Sequence, residues 1–346
     1  MKIMHIITTL NSGGAERMLS KLVKKDDMNT HVVVVLLKSK VHYKFEGIRI
    51  IHLNKSNNFI NKVTILKDLV KVINNEKPEI LQTWLKCNYY GPFMKYLFPN
   101  IKVVTNFRNG YNGSKNPFKI LLLNFFIKEF DGHIFVSKSA FEERANANLL
   151  FNNYKIINNG FEIPRTIDRN KKENYLVIGH MGRFHPVKNQ ANIIKAFNIF
   201  SIGKDVKLLL AGKNLIKENF DSPERDNDKV IYLGEISNVK AFYEEIDALV
   251  MASKSEGFPN VIGEAMSYGK YVVSTGAGES FDILGNSGYK LQDGEVTSIC
   301  EAFEYIYSNK DLICKEGSES RSRIYEKYSI ESIIQQYQEY YKTLGV

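Results

Sequence analysis

Apolar runs of four to seven residues recur along the chain, with helical patterns between them. In the first half they are Lys2–Thr8, His31–Leu37, Glu79–Thr83, Lys102–Asn106 and His133–Ser137. In the second half they are Leu176–Met181, Val206–Ala211, Val230–Leu233, Ala248–Met251 and Tyr271–Ser274. Val, Ile and Leu dominate these runs, the pattern of strands buried on both faces. Strands alternating with helices predict an α/β chain with doubly wound parallel sheets. The pattern restarts near Leu176, after Asn158-Asn159-Gly160 and the polar stretch Arg165–Asn174, which reads as an interdomain linker. The expected division is residues 1–164, residues 165–328, and a tyrosine-rich final helix within 329–346 that packs back on the first domain. Two such domains face each other over a central cleft, with ligands at the carboxyl ends of the strands.

Length and composition add limits. The 346 residues suit two domains, and 44% hydrophobic with 25% charged residues is ordinary for soluble globular protein. Cys87, Cys300 and Cys314 lack metal-ligand spacing and suit thiols in a reducing compartment. Met1–Leu10 reads as a first strand rather than a signal peptide, and no run reaches the roughly 18 apolar residues of a spanning helix. Charge is uneven. Residues 1–165 hold 25 Lys and Arg against 12 Asp and Glu, a surplus of +13, whereas residues 166–346 hold 22 against 26, or −4. Only the first half is thus expected to meet an anionic partner, membrane or nucleic acid.

The densest candidate chemistry is Ser255-Glu256-Gly257-Phe258-Pro259-Asn260-Val261-Ile262-Gly263-Glu264. Glu256 lies in a Gly- and Pro-containing turn after the run Ala248–Met251, and Glu264 is expected about two turns into a helix that ends at Gly269. Carboxylates for hydroxyls and first-turn amides for phosphate suit a phosphorylated, polyhydroxylated ligand. Gly13-Gly14 after the first strand would let backbone approach a phosphate or sugar, though it is not a dinucleotide fingerprint. Arg183 and Lys188 flank a Pro-containing turn after Leu176–Met181, where two cations could hold a diphosphate. Asp226-Asn227-Asp228 spells a metal-binding Asp-x-Asp but sits in a charged loop, and no metal or other cofactor is expected.

Gly13-Gly14-Ala15-Glu16-Arg17, Gly182-Arg183 with Lys188-Asn189, and the paired glutamates occur in an order that resembles retaining nucleotide-sugar glycosyltransferases of family 4. The resemblance runs essentially end to end. It implies the GT-B fold, with two Rossmann-like domains. It also implies that Arg183 and Lys188 bind the donor diphosphate, Glu264 the ribose hydroxyls and Glu256 the donor sugar. Amides near Gly257, Phe258, Val261 and Gly14 would complete the contacts. Glu256, Arg183 and Lys188 would carry catalysis. Within the family the chain looks most like bacterial O-antigen and capsule enzymes that move N-acetylhexosamine, especially N-acetylgalactosamine, from a UDP-sugar to a polyprenyl-diphosphate-linked saccharide.

The chain also departs from the pattern. Many family members place a histidine near the donor sugar, where this sequence has Arg108 and Asn109, candidates for the acceptor, with the diphosphate as the alternative for Arg108. His185 reads as a turn residue and His133 as structural. Asn88–Pro99 and Asn116–Phe130 are aromatic and apolar with lysines at their ends. The second is too short to span a bilayer; it reads either as a core helix or as a segment lying at an interface. With the basic first half, the latter predicts peripheral binding to the anionic inner leaflet of a bacterial membrane. A UDP-sugar epimerase is the rival of the same fold. A nucleic-acid-binding protein is the rival of another class, against which stands the lack of any recognised motif.

Overall fold

The computed structural model describes residues 1–346 except Ser12, Asn112, Val346 and residues 57–58, 114–115, 167–174 and 222–223; the side chains of 59–63 and 224 are likewise outside it. Most of the linker expected over Arg165–Asn174 therefore lies outside the described residues. The chain forms two compact units, Met1–Gly160 with Ile330–Val346, and Phe161–Ser329. The sequence pattern put the first boundary at 164/165. In the structure Phe161 already belongs to the second unit, where its amide donates to the Tyr328 carbonyl at 2.8 Å and its ring lies 6.2 Å from that of Phe258.

The first unit contains β1 (Lys2–Ile7), α1 (Gly14–Lys25), β2 (Thr30–Leu37), β3 (Arg49–Lys55), α2 (Phe59–Glu76), β4 (Ile80–Trp84) and α3 (Gly91–Leu97). It continues with β5 (Lys102–Phe107), α4 (Pro117–Ile127), β6 (Gly132–Phe135), α5 (Lys138–Ala145) and β7 (Tyr154–Ile156). The parallel sheet runs β3-β2-β1-β4-β5-β6-β7. Alternation along β1 explains its uninterrupted apolarity. Ile3 and Ile7 pack with α1 and the C-terminal helix Ile330–Thr343, while Met4 and Ile6 pack with α2 and α3. That helix is fastened by tyrosine hydroxyls. Tyr337 accepts from Asn106 Nδ2 at 3.1 Å, Tyr340 donates to the Asn153 carbonyl at 2.6 Å, and Tyr341 bonds Gln82 Oε1.

A polar chain runs beneath the same helices. Trp84 Nε1 meets His5 Nδ1 at 3.2 Å, His5 Nε2 meets His31 Nδ1 at 2.9 Å, and His31 Nε2 meets Asp26 Oδ2 at 3.0 Å. One direction of donation, from indole to carboxylate, satisfies every ring nitrogen with both histidines neutral. Burial first, then the neighbouring His31, holds His5 well below the usual histidine range. Burial opposes ionisation of Asp26, but hydrogen bonds from His31, Asn29 and Gln338 hold its carboxyl below the ordinary range.

The second unit contains β8 (Leu176–Met181), α6 (Gln190–Phe200), β9 (Val206–Ala211), β10 (Val230–Gly234), α7 (Val239–Glu245), β11 (Ala248–Met251) and α8 (Asn260–Ser267). β12 (Tyr271–Ser274), α9 (Ser280–Leu284), β13 (Tyr289–Lys290), α10 (Val296–Ser308) and α11 (Lys310–Tyr328) complete it. Its parallel sheet runs β10-β9-β8-β11-β12-β13. Ala248 and Val250 of β11 face the cluster with α6 and α10; Leu249 and Met251 face that with α7, α8 and α11. In the former, Phe197, Phe200 and Phe303 are fully buried, each worth about 1.5–3 kcal/mol relative to exposure.

In both sheets the strand order reverses beside the first strand, and the crevice outside the carboxyl ends at that point is where doubly wound sheets bind ligands. In the second unit the crevice lies between β8 and β11, whose ladder covers only Ala248–Ile178 and Leu249–Gly179. Beyond those pairs the His180 ring takes over, its Nδ1 bonding the Val250 carbonyl at 3.0 Å.

Candidate active site

The loops after β8 and β11 bring together residues far apart in sequence. Lys188 Nζ donates to Glu256 Oε1 at 2.5 Å across 68 positions, with both side chains largely buried. The Lys254 amide bonds the Val187 carbonyl at 2.8 Å and so clamps the two loops. Arg183, one turn of loop away, is exposed, and no described residue pairs with its guanidinium. The crevice thus holds a neutralised ion pair beside an unneutralised arginine.

A buried network shapes the loop bearing the two cations. His180 donates from Nδ1 to Val250, which leaves Nε2 to accept from Gln190 Nε2 at 3.3 Å; the same amide donates to the Arg183 carbonyl at 2.9 Å. Burial pushes the His180 imidazole down to about 4, so it is neutral at pH 7 and this donor pattern is fixed. Asn189, at φ 58°, turns the chain into α6 and donates to the Gly294 carbonyl at 2.7 Å.

Glu256 and Gly257 are supported from the loop after β12. The Glu279 amide reaches the Gly257 carbonyl at 3.3 Å. Gly278, at φ +59°, lies so close that a Cβ would overlap the carbonyls of Glu256 and Gly257. Phe258 is half-buried against Phe161 and Tyr328, so its ring is a packing element and its backbone the polar part. Pro259 precedes α8, whose start has no side-chain cap, leaving first-turn amides such as that of Val261 for a ligand.

Glu264 lies just past the first turn of α8 rather than two turns in, because the helix begins at Asn260. It is buried, not a surface glutamate, and its Oε2 accepts from Tyr243 Oη at 3.0 Å. Tyr243 is fully buried, stacks on Tyr268 and also reaches the Val261 carbonyl at 3.4 Å. The sequence reading missed this tyrosine, since Phe242-Tyr243 within a helix looks like ordinary core. It missed the role of His180 as well, although a histidine inside an apolar strand was a usable signal.

The remaining expected site residues lie in the first unit. Gly14 opens α1, exposed, after an extended Gly13; the neighbouring Glu16 carboxyl is raised by burial. Arg108 is half-buried; its terminal nitrogens donate to the Ile157 carbonyl and the Tyr337 hydroxyl, each at 3.1 Å, and to Asn159 Oδ1, while its buried Nε has no partner among the described residues. Asn109 is exposed, and its carbonyl accepts from Arg144 at 3.1 Å. Asp226 pairs with Lys217 at 3.2 Å, Asn227 bonds Asn198 at 2.9 Å, and no group of three His, Cys, Asp or Glu among the described residues is placed to hold a metal ion.

Residues 175–309 match the family described as Glycosyl transferases group 1. The second unit carries a group 1 glycosyltransferase domain. Among relatives of this glycosyltransferase is the Capsular polysaccharide biosynthesis glycosyltransferase CapM of Staphylococcus aureus, 24% identical over 368 aligned residues, 99% of this chain and 97% of that one. Another, from Campylobacter jejuni, is named N-acetylgalactosamine-N,N'-diacetylbacillosaminyl-diphospho-undecaprenol 4-alpha-N-acetylgalactosaminyltransferase. It is 26% identical over 302 residues, 79% of this chain and 80% of its own. The crystal structure of Anabaena HepE in complex with UDP matches with a TM-score of 0.84 at 19% identity, covering 99% of this chain and 100% of that one. The fold is GT-B.

Proposed function

We propose that this glycosyltransferase moves a sugar, N-acetylgalactosamine or another hexose or N-acetylhexosamine, from a UDP-sugar to a polyprenyl-diphosphate-linked saccharide during bacterial surface polysaccharide assembly. The observation that carries the donor half is the Lys188–Glu256 pair beside the unpaired Arg183 at the β8/β11 crevice. The UDP in the HepE complex and the names of the capsule and undecaprenol relatives support the reading.

In this reading Arg183 and Lys188 hold the diphosphate and Glu264 the ribose. Lys188, exchanging Glu256 for phosphate oxygens, releases that carboxylate toward the sugar hydroxyls. The bond between the anomeric carbon and the β-phosphate oxygen breaks, and its electron pair leaves with UDP. The acceptor hydroxyl oxygen bonds the anomeric carbon from the same face, and its proton passes to the departing phosphate oxygen, so configuration is retained without a separate base. Arg183 stabilises the charge that grows on the diphosphate. Acceptor contacts fall to exposed Asn109 and to Arg108, whose Nε has no partner among the described residues. No metal takes part, and the enzyme works peripherally at the inner face of the bacterial inner membrane.

The test is a screen of UDP-sugars against lipid-diphosphate saccharides, with mass and linkage analysis of product, in the presence and absence of EDTA. A retained linkage formed in EDTA is expected. Turnover of the UDP-sugar without acceptor, or activity restored only by Mn²⁺, would overturn the mechanism.

A further inference from the structure

Residues 80–128 contain seven Lys and Arg and no Asp or Glu. The same segment carries eight of the eighteen large apolar side chains exposed among the described residues. On α4 these are Phe118, Leu121, Leu122 and Phe125, between 50% and 75% exposed and spaced i, i+3, i+4, i+7. That spacing makes one continuous stripe along the helix. The opposite face does the packing, with Ile120 and Ile127 buried against Leu149, Leu123 and Phe151.

The helix is held in this orientation by polar contacts at its start and along its length. Asn116 Oδ1 accepts from the Phe118 amide at 3.0 Å, and Asn124 bonds the Asn148 carbonyl and the Leu150 amide, each at 2.9 Å. The outward stripe is thus additional to what folding needs. In the same segment α3 exposes Phe93, Tyr96 and Leu97, and its Gly91 lies against Phe130, three residues past the end of α4. Lys86, Lys119 and Lys128 are exposed on the same segment.

We infer that the outer face of α4 docks on an anionic phospholipid bilayer. This rests on the lipid-linked acceptor of the proposed function and names the surface that holds the enzyme beside it. The charge decides the occupant. Lys95 and Lys102 pair with Asp131, so the exposed Lys86, Lys119 and Lys128 are the cations that complement anionic headgroups, while the Phe-Leu-Leu-Phe stripe suits the acyl boundary and offers a phosphate backbone nothing to bond. At 11 residues α4 is about 16 Å long, well short of a spanning helix, so it lies in the interface plane.

The experiment is cosedimentation of the full chain with phosphatidylglycerol/phosphatidylcholine vesicles and with phosphatidylcholine alone. Wild type should bind the anionic vesicles and release at high salt. The Leu121→Ser/Leu122→Ser/Phe125→Ser variant should bind them about tenfold or more weakly, since three apolar side chains no longer enter the interface. Lys119→Glu/Lys128→Glu should weaken binding about tenfold or more and erase the preference for anionic lipid. Both variants should melt as wild type and keep transfer onto a water-soluble, short-chain acceptor. Wild-type sedimentation of the triple variant would overturn the proposal. So would a vesicle-free dimer that the triple variant converts to monomer, because a second copy would then cover the face. If transfer fails on every acceptor while α4-dependent vesicle binding persists, the docking surface stands and the acceptor assignment falls.

Discussion

In the second unit the charged side chains stand at the carboxyl ends of the strands, where Lys188, Glu256 and Arg183 line the β8/β11 crevice. In the first unit, built on the same strand order, the comparable polar groups are turned inward. Trp84, His5, His31 and Asp26 hydrogen-bond in series under α1 and the C-terminal helix, and Arg108 is tied to Tyr337. Large apolar side chains are what the first unit exposes on α4. One topology therefore supports opposite uses of polarity. Buried polar groups that satisfy one another order a framework, whereas a charge left unpaired at a strand end is available to a ligand.

The largest expected effect that would break this contrast is at Arg183. Arg183→Ala should lower turnover by about 100- to 1000-fold, as loss of one preorganised charge-stabilising group does, with the melting temperature unchanged. Near wild-type turnover would remove Arg183 from the site. In the first unit the corresponding loss should fall on stability alone. Asp26→Ala leaves His31, Asn29 and Gln338 without their acceptor and should cost about 3 kcal/mol in denaturant unfolding. A change below about 1 kcal/mol would mean the polar chain is not a framework element.

Acid should weaken both units. His133 and His180 are each pushed down to about 4 by burial. Unfolded histidine titrates near about 6.5, so the unfolded chain takes up protons first as pH falls. Stability is then full above about pH 6.5 and lost toward pH 4, by at most about 3 kcal/mol per ring. Asp26, held below its ordinary range, contributes stability above about pH 4 that is lost at lower pH. His180→Asn, which can keep a donor to Val250 without titrating, should flatten the pH 4 to 6.5 slope by about one proton. An unchanged slope would show that His180 is not buried neutral.

Smaller effects sharpen the division within the donor site. Glu264→Gln should weaken UDP binding by about tenfold, while Glu256→Gln spares UDP and lowers transfer. Equal loss of UDP in both would end that division. Tyr243→Phe removes the hydroxyl that orients Glu264 and also reaches the Val261 carbonyl, and should raise the UDP dissociation constant by about three- to tenfold with turnover at saturation unchanged. Calorimetric titration with UDP reads the binding and an initial-rate transfer assay reads the turnover.

The central strands were legible because continuous apolar runs are what burial on both faces requires; Leu176–Met181, Val206–Ala211, Ala248–Met251 and Tyr271–Ser274 occur at those bounds. The strands that escaped the sequence reading are β3, β7 and β13, all at or toward sheet edges. β3 is exposed along much of its length and mixes Arg, His, Asn and Lys with its apolar residues, and β7 and β13 are too short to leave a pattern.

Sequence alone determined the residue types and motifs of the candidate site and the α/β alternation, since both depend on local spacing. Tertiary structure decided which of those residues meet. The pairing of Lys188 with Glu256 follows from β8 and β11 becoming neighbours across the reversal of strand order. The same holds for α4, apolar on every side: periodicity could not say which face turns outward, and packing of Ile120 and Ile127 did. As for the two glutamates eight positions apart, spacing put both near one helix start, and only the fold buried Glu264 under Tyr243 and set Glu256 against a lysine.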